Sequence, residues 1–390
     1  MQANPAPRKT LLIDRDGTLI HEPSGTFQVN SLEELRLLPG VITALHRLSC
    51  AGYDLIFVSN QDALGTAQNP RENYEYLNDK LFALLGGEGI EFAAVFTCPH
   101  IPADGCACRK PGTGMVDAYL RRKPLLLSDS FMVGDRGTDG RFAGNLGIPA
   151  FLLDSETHPD EDRTLSVEQK LWTWPELAHY ILQRPRCSRL ARKTKETDIS
   201  IELNLDAPDG QGRYQIATGL HFFDHMLEQL SRHGGMDLSI SCKGDLEIDA
   251  HHTVEDVALA LGQAFADALG DKRGIVRYSW ERVLVMDEVR CEISIDLSGR
   301  PYVVFDADFP RPAAGDLPTE MVEHFFVSFC SAAKINLHLH CHSGHPDHPG
   351  KGLKPNTHHM VEACFKALAR CLKDAVRREG TGISSTKGLL

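Results

Sequence analysis

Through the first 150 residues, short apolar runs alternate with helical stretches. Leu11-Leu12-Ile13 leads into Asp14-Arg15-Asp16-Gly17-Thr18. Residues 55–58 lead into Ser59-Asn60, and residues 131–133 lead into Gly134-Asp135. Between the first two runs, residues 40–50 carry apolar side chains at helical spacing. Continuous apolar runs alternating with helices predict a parallel sheet buried on both faces. Ligands of such sheets bind outside the carboxyl ends of the strands. All three runs deliver polar residues there.

The pattern changes afterwards. Residues 155–190 are polar, with Trp172 and Trp174 near the middle and Arg184-Pro185-Arg186 near the end. They read as a helical or irregular connector. The chain then divides into a domain at 1–165, a connector at 166–190 and a second domain at 191–390. The second domain carries an internal repeat. His225 is followed by His251-His252-Thr253-Val254-Glu255, and His324 by His358-His359-Met360-Val361-Glu362. Each pair precedes an amphipathic helical stretch, 256–269 and 363–376. His225 and His251 are 26 positions apart, His324 and His358 are 34 apart, and the longer interval holds a Gly-, Pro- and His-rich loop at 345–355. Such a duplication predicts two sheet-plus-helix halves that build a shared site. The expected architecture is an α/β, Rossmann-like N-terminal domain and an α+β C-terminal domain.

Composition narrows the function classes. The 390 residues are 42% hydrophobic and 24% charged, which excludes a disordered chain, a collagen-like fibre and a small disulfide scaffold. The formal net charge of −12 argues against general nucleic-acid binding. No run of about 18 apolar residues is present, so no membrane span is expected. Met1 to Thr10 lacks the apolar core of a secretory signal. Eleven cysteines, an odd number with three between Cys98 and Cys108, fit a reducing, cytoplasmic setting and one metal loop. Thirteen of the 18 histidines lie at or after His221, so the two halves of the chain carry different chemistry.

Three constellations carry that chemistry. In Asp14-x-Asp16-Gly17-Thr18, one carboxylate can attack phosphorus and form an aspartyl-phosphate, and the other can protonate the leaving alkoxide. Phosphate and carboxylate repel, so a divalent cation is needed; Mg²⁺ takes hard oxygens, which Asp135 and Asp139 can supply. Ser59, Asn60 and Lys110 can hold phosphate oxygens. Asp-rich turns also arise simply as turn caps, but four elements in this order favour the chemical reading. Next, Cys98-x-His100-x₅-Cys106-x-Cys108 offers three thiols and an imidazole within 11 residues, a closed tetrahedral set for structural Zn²⁺. Lastly, His251 and Glu255 share one helical face, as do His358 and Glu362. His252 and His359 point about 100° away. They therefore serve neighbouring metal sites or sites shared across subunits. With His225 and His324 the set is six imidazoles and two carboxylates, suited to Mn²⁺, Fe²⁺ or Zn²⁺. His338, His340 and His342 alternate as on one face of a strand; with His345 and His348 they read as a solvated strand and loop that can pick up adventitious metal.

The Asp14, Ser59, Lys110 and Asp135 elements together resemble the haloacid dehalogenase-like phosphatases over about 140 residues. That resemblance makes Asp14 the nucleophile and Asp16 the general acid/base, and it gives Mg²⁺ to Asp14, the Asp16 backbone carbonyl and Asp135. The Cys/His loop running into Arg109-Lys110-Pro111 resembles two subfamilies of these phosphatases, one acting on histidinol phosphate and one on a heptose bisphosphate; the loop alone does not separate them. The second domain resembles imidazoleglycerol-phosphate dehydratase. The motifs are His221-Phe222-Phe223-Asp224-His225-Met226, Asp249 to Asp256, Asp296-Leu297-Ser298-Gly299-Arg300-Pro301 and Ser384-Ser385-Thr386-Lys387-Gly388. This resemblance implies Mn²⁺ at His225, His251, His252, Glu255, His324, His358, His359 and Glu362. Glu255 and Glu362 then count as catalytic carboxylates too, with Glu196 as a candidate acid/base group from a neighbouring subunit. Arg277, Arg300, Ser385 and Lys387 match phosphate-binding positions, and the sites lie in a large homo-oligomer.

The whole chain thus resembles bifunctional enzymes of histidine biosynthesis, and the association of domains selects histidinol phosphate for the first half. The substrates would be small phosphate esters. Two alternatives stay open: a phosphatase for another sugar phosphate fused to the dehydratase, and a non-catalytic scaffold whose metals only join subunits.

Overall fold

The computed structural model describes residues 7–62, 64–67, 69–155, 162–343, 356–380 and 382–386. Two compact units, Met1–Arg184 and Pro185–Leu390, make up the chain. Residues 345–355, with His345 and His348, and Lys387 lie outside the described residues.

The first unit is a six-stranded parallel sheet. Its strands are β1 (Thr10–Ile13), β2 (Asp54–Asn60), β3 (Phe92–Cys98), β4 (Phe131–Gly134), β5 (Ala150–Leu153) and β6 (Leu171–Trp172), in the order β3-β2-β1-β4-β5-β6. Five helices accompany them: α1 (Val41–Cys50), α2 (Arg71–Gly87), α3 (Asp117–Leu120), α4 (Gly137–Leu146) and α5 (Trp174–Gln183). Both sheet faces are covered, which is why the runs are apolar throughout rather than alternating. Leu11, Ile13, Leu55 and Phe57 pack on one side with α1, α2 and α5. Leu12, Ile56, Val58 and Met132 pack on the other with Phe142 of α4. Each such side chain contributes about 1.5–3 kcal/mol through burial.

The stretch read from sequence as a connector does more than link. Residues 171–183 add β6 and α5 to the first unit. A capping box starts α5: Thr173 accepts from the Glu176 amide, and Glu176 accepts from the Thr173 amide at 2.9 Å. Trp174 is buried and its indole donates to the Thr18 carbonyl at 2.8 Å. A residue of the supposed connector therefore braces the turn that carries Asp14 and Asp16. Residues 187–193 form the first strand of the second unit.

In the second unit the first half runs β7 (Cys187–Lys193), β8 (Thr197–Asn204), β9 (Tyr214–Ala217), α6 (His221–Gly234), β10 (Asp237–Gly244) and α7 (His251–Leu269). The second half runs β11 (Tyr278–Met286), β12 (Val289–Asp296), β13 (Tyr302–Ala307), a short hairpin of β14 (Ala313–Ala314) and β15 (Leu317–Pro318), α8 (Glu320–Ala333), β16 (Asn336–Ser343) and α9 (Thr357–Ala375). The two sheets, β7-β8-β10-β9 and β11-β12-β16-β13, have the same order. In each, the first three strands are antiparallel and the last pairs in parallel. The duplication predicted from sequence is thus a duplication of topology. Alternating burial in β8 and β12 shows one wet and one packed face per sheet. The packed faces and the four helices share one apolar core. Helices pair across the halves, α6 with α9 and α7 with α8, and this crossing decides which metal-ligating residues meet.

Candidate active sites

In the first unit, the carboxyl ends of β1, β2 and β4 bring the predicted residues together. Asp14 continues β1 by donating its amide to Val133 at 2.9 Å. Lys110 is buried, and its ammonium donates to Asp14 (2.7 Å) and to the Val58 carbonyl (3.0 Å), with Asp139 also at 2.7 Å. Burial opposes that charge, yet Asp139 and Asp14 together hold the ammonium above its ordinary value. Asn60 fixes the Lys110 backbone from both sides, donating to its carbonyl at 3.1 Å and accepting from its amide at 2.9 Å. Asn60 therefore positions Lys110.

Asp16 accepts from Gln61 at 2.6 Å and from Arg15 at 3.1 Å. Gln61 also donates to Ser59 at 2.9 Å, so Ser59 and Asp16 are joined through a residue the sequence reading passed over. Its signal was its position, directly after Ser59-Asn60 at the end of β2. Glu22 is a second omission. It is buried, pairs with Arg136, and no sequence motif surrounds it.

Asp135 is the telling group. It is wholly buried, and neither carboxylate oxygen accepts a hydrogen bond among the described residues; Arg136 Nε stands 3.9 Å away. Burial, then the negative charges of Asp14 and Asp139, push its carboxyl well above the usual range. An orphaned carboxylate beside a second one fits a hard divalent cation. Gly17 lets the turn close over it: its φ is +70°, and a Cβ there would stand 2.0 Å from Asp135 Oδ2. Asp135→Asn is expected to stabilise the metal-free first unit by roughly 1–3 kcal/mol, because a buried charge that accepts no hydrogen bond and is repelled by Asp14 and Asp139 is removed. The same change should lower turnover at this site by at least about 100-fold, the upper figure for groups that merely support a metal site. Thermal melts in chelator, alongside phosphate release, check both.

The Cys/His loop brings its four candidate ligands close together. Cys98 at the end of β3 is buried and lies 3.6 Å from Cys106 Sγ, 3.4 Å from Cys108 Sγ and 3.5 Å from His100 Nδ1. Cys108 is 3.3 Å from Cys106 and 3.2 Å from His100. Tetrahedral Zn–S bonds of 2.3 Å would put sulfurs about 3.8 Å apart, so the donor set fits Zn²⁺. Arg109 ties the loop back, donating to the His100 carbonyl at 2.9 Å and pairing with Asp62. The loop thereby sets the chain path into Lys110.

In the second unit the crossed helices assemble two triads. His251 and Glu255 of α7 meet His324 of α8: His251 Nε2 is 3.5 Å and His324 Nε2 3.6 Å from the Glu255 carboxylate. His358 and Glu362 of α9 meet His225 of α6; His358 Nε2 is 3.1 Å from Glu362. His225 of the first half thus serves with α9 of the second, and His324 of the second half with α7 of the first, which sequence alone did not say. His324 Nε2 is buried without a hydrogen-bond partner among the described residues, and the imidazole and carboxylate donors fit a borderline divalent ion.

His252 and His359 turn away, as the helical angle predicts. His252 Nδ1 is 2.9 Å from Asp245, and His359 Nδ1 is 3.0 Å from Glu288. These orienting carboxylates were missed; each sits in a turn next to a strand, with no spacing signal. Asp245, and behind it Glu196, favour the His252 imidazolium and raise its pKa. Glu196 itself lies in the exposed turn between β7 and β8, where its amide donates to Thr194 at 3.2 Å.

The triads differ in one respect. Lys366, one turn beyond Glu362, bonds it at 2.8 Å, whereas Leu259 holds the matching place after Glu255. Burial opposes the Glu362 charge, but Lys366, His225 and His358 hold its carboxyl below the usual value.

Arg277, with φ +77°, directs Nε and Nη2 to Asp296 at 2.7 and 3.1 Å and donates to the Ser384 carbonyl, so it stands beside Ser385. Its fork is engaged by Asp296 in this chain. Arg300 is exposed after β12, and its carbonyl accepts from Ser298 and Asn336.

Comparisons with known proteins agree with both units. The imidazoleglycerol-phosphate dehydratase family model matches residues 218–372, and a HAD-hydrolase-like model matches 107–178. The histidine biosynthesis bifunctional protein HisB of Stenotrophomonas maltophilia (strain R551-3) is 47% identical over 380 residues, covering 97% of this chain and 99% of its own. Among solved structures, imidazoleglycerol-phosphate dehydratase from Staphylococcus aureus subsp. aureus N315 is 32% identical, covers 49% of this chain and 99% of its own, and has a TM-score of 0.42. D,D-heptose 1,7-bisphosphate phosphatase from B. bronchiseptica, complexed with magnesium and phosphate, is 29% identical, covers 45% of this chain and 98% of its own, and has a TM-score of 0.41. With near-complete mutual coverage by a relative at that identity, the chain belongs to the bifunctional HisB family of histidine biosynthesis, enzymes that join a haloacid dehalogenase-like hydrolase to an imidazoleglycerol-phosphate dehydratase.

Proposed function

We propose that the first unit hydrolyses L-histidinol phosphate and the second dehydrates D-erythro-imidazole glycerol phosphate to imidazole acetol phosphate. The observation that carries the first assignment is the orphaned Asp135 carboxylate beside the Asp14–Lys110 pair, inside a chain whose second unit supplies two His/Glu triads.

In the first reaction Asp14 attacks phosphorus. The bond to the histidinol oxygen breaks, and Asp16 gives that oxygen a proton. Asp16 then takes a proton from the water that attacks the aspartyl-phosphate, releasing phosphate and restoring Asp14. Lys110 and Ser59 hold phosphate oxygens through these steps. Asp14, the Asp16 carbonyl and Asp135 would hold Mg²⁺, which offsets repulsion between phosphate and carboxylates. Cys98, His100, Cys106 and Cys108 would hold Zn²⁺ in a structural role, and Arg109, bonded to the His100 carbonyl and to Asp62, keeps the chain path into Lys110.

In the second reaction the two triads would hold Mn²⁺, whose Lewis acidity would serve to polarise the substrate's imidazole ring. Each triad supplies two imidazoles and one carboxylate, one imidazole short of an even share. His252 and His359 point away from their own triads, so a neighbouring subunit's sites are their natural destination. That is the support for a homo-oligomer built through the second unit. Glu196, whose charge favours the His252 imidazolium, would serve the same shared site as an acid/base group. Arg277, Arg300, Ser385 and Lys387 are assigned to the substrate phosphate. No helix among the described residues is long and apolar enough to cross a membrane. The odd count of eleven cysteines, three of them in one Cys/His loop, supports work in the cytoplasm.

The test offers one purified chain histidinol phosphate, a heptose bisphosphate and imidazole glycerol phosphate. Phosphate release from the first and dehydration of the third are expected. Release from the heptose ester alone would reassign the first unit. Assembly with Mn²⁺ and no dehydration would leave the second unit as a scaffold.

A further inference from the structure

The exposed face of the second sheet carries a cluster that neither reaction uses. His340 and His342, two residues apart on β16, project from the same face. Asp306 on β13 is the direct partner of His340 in the parallel pair. Asp306 Oδ2 is 3.0 Å from His340 Nδ1 and 3.7 Å from His342 Nε2. The three donor atoms all lie within 4.8 Å of one another. Metal–donor bonds of 2.0–2.1 Å in a tetrahedron place donors about 3.4 Å apart, and the two measured edges bracket that value.

The duplicated half is an internal control. β10 and β16 are both eight residues long and hold the same place in their sheets. Where β16 carries His340 and His342, β10 carries Ser241 and Lys243. Where Asp306 faces His340, Ala217 faces Ser241. The fold therefore forms without any donor at these positions, and the imidazoles are an addition of one half. On the other side of His340 stands Glu292, already paired with Arg290 at 2.7 Å. The cluster is thus two imidazoles and one carboxylate, open to water on its fourth side.

The geometry assigns to His340, His342 and Asp306 a surface site for a borderline divalent ion, Zn²⁺, separate from both dehydratase triads. Imidazole with carboxylate is the donor mixture for such an ion. The ion would cross-link β16 to β13, the edge strand of its sheet. An edge strand is held on one side only, so a cross-link there stabilises it.

The experiment uses the full chain with its resident metals in place and titrates Zn²⁺ against a chromophoric chelator. Wild type should take one more tight equivalent per chain than H340Q/H342Q. Asp306→Asn should weaken that equivalent at least about tenfold. Zn²⁺ should also raise the melting temperature of wild type above that of H340Q/H342Q, with dehydratase turnover unchanged. Equal counts and equal melting shifts in the two proteins would overturn the assignment. Should H340Q/H342Q fail to fold, the reciprocal A217D/S241H/K243H variant decides: one equivalent gained supports the site, and none gained overturns it.

Discussion

Asp14→Asn is expected to reduce phosphate release from histidinol phosphate by on the order of 10⁴-fold or more, as removal of a nucleophile does in other covalent mechanisms. The dehydratase rate of the same protein should not change. The substitution is nearly isosteric and keeps an oxygen for Lys110, whose ammonium stands 2.7 Å from Asp14 Oδ1 and also contacts Val58 and Asp139. Lys110 therefore remains in place, and the loss reports chemistry rather than collapse of the pocket. One negative charge also leaves the neighbourhood of Asp135, which relieves part of the repulsion there. The metal-free unit should consequently melt no lower than wild type. Intact hydrolysis in Asp14→Asn would refute the nucleophile assignment, and a lowered melting temperature would mean the residue chiefly holds the fold.

Glu362→Gln is expected to do the converse, lowering dehydration of imidazole glycerol phosphate by at least about 100-fold while sparing hydrolysis. Glu362 sits 3.1 Å from His358 Nε2 and 2.8 Å from Lys366, so its carboxylate answers both an imidazole and an ammonium. The neutral amide keeps the shape and one acceptor oxygen but removes the charge a metal needs. Lys366 then keeps an acceptor but loses its anionic partner. Glu255→Gln in the other triad should cost turnover too, without the loss of any lysine pair, since Leu259 stands in the corresponding place. A rate parallel assay of manganese content separates failed loading from failed chemistry. Full activity with full loading in Glu362→Gln would remove this residue from the reaction.

Much of the chemistry was legible along the chain because it depends on spacing. Strand ends are marked by apolar runs that stop, so Asp14, Ser59, Asn60 and Asp135 announced a common edge of the sheet. The Cys/His loop needed only nearness in sequence. A spacing of four residues put His251 with Glu255 and His358 with Glu362, and the helical angle turned His252 and His359 aside. The duplication was visible because both copies kept the same residues.

What required the fold were relations between distant segments. The partnership of His225 with α9, and of His324 with α7, follows from helices packing across the halves, and no local pattern records that crossing. Gln61, Glu22, Asp245 and Glu288 act through contacts spanning up to 114 residues, so each looks like an ordinary polar residue in sequence. Residues 155–190 read in sequence as a helical or irregular connector; in the fold Trp174 reaches back to Thr18 and its helix covers one face of the sheet. By itself the sequence determined the element types, the duplicated halves and the ligand pairs lying within one turn or loop, because backbone periodicity and short-range geometry suffice for these. Only the tertiary structure decided which pairs share a site, which carboxylate is left buried without a partner, and which histidines point elsewhere, because burial and charge pairing are properties of the packed chain.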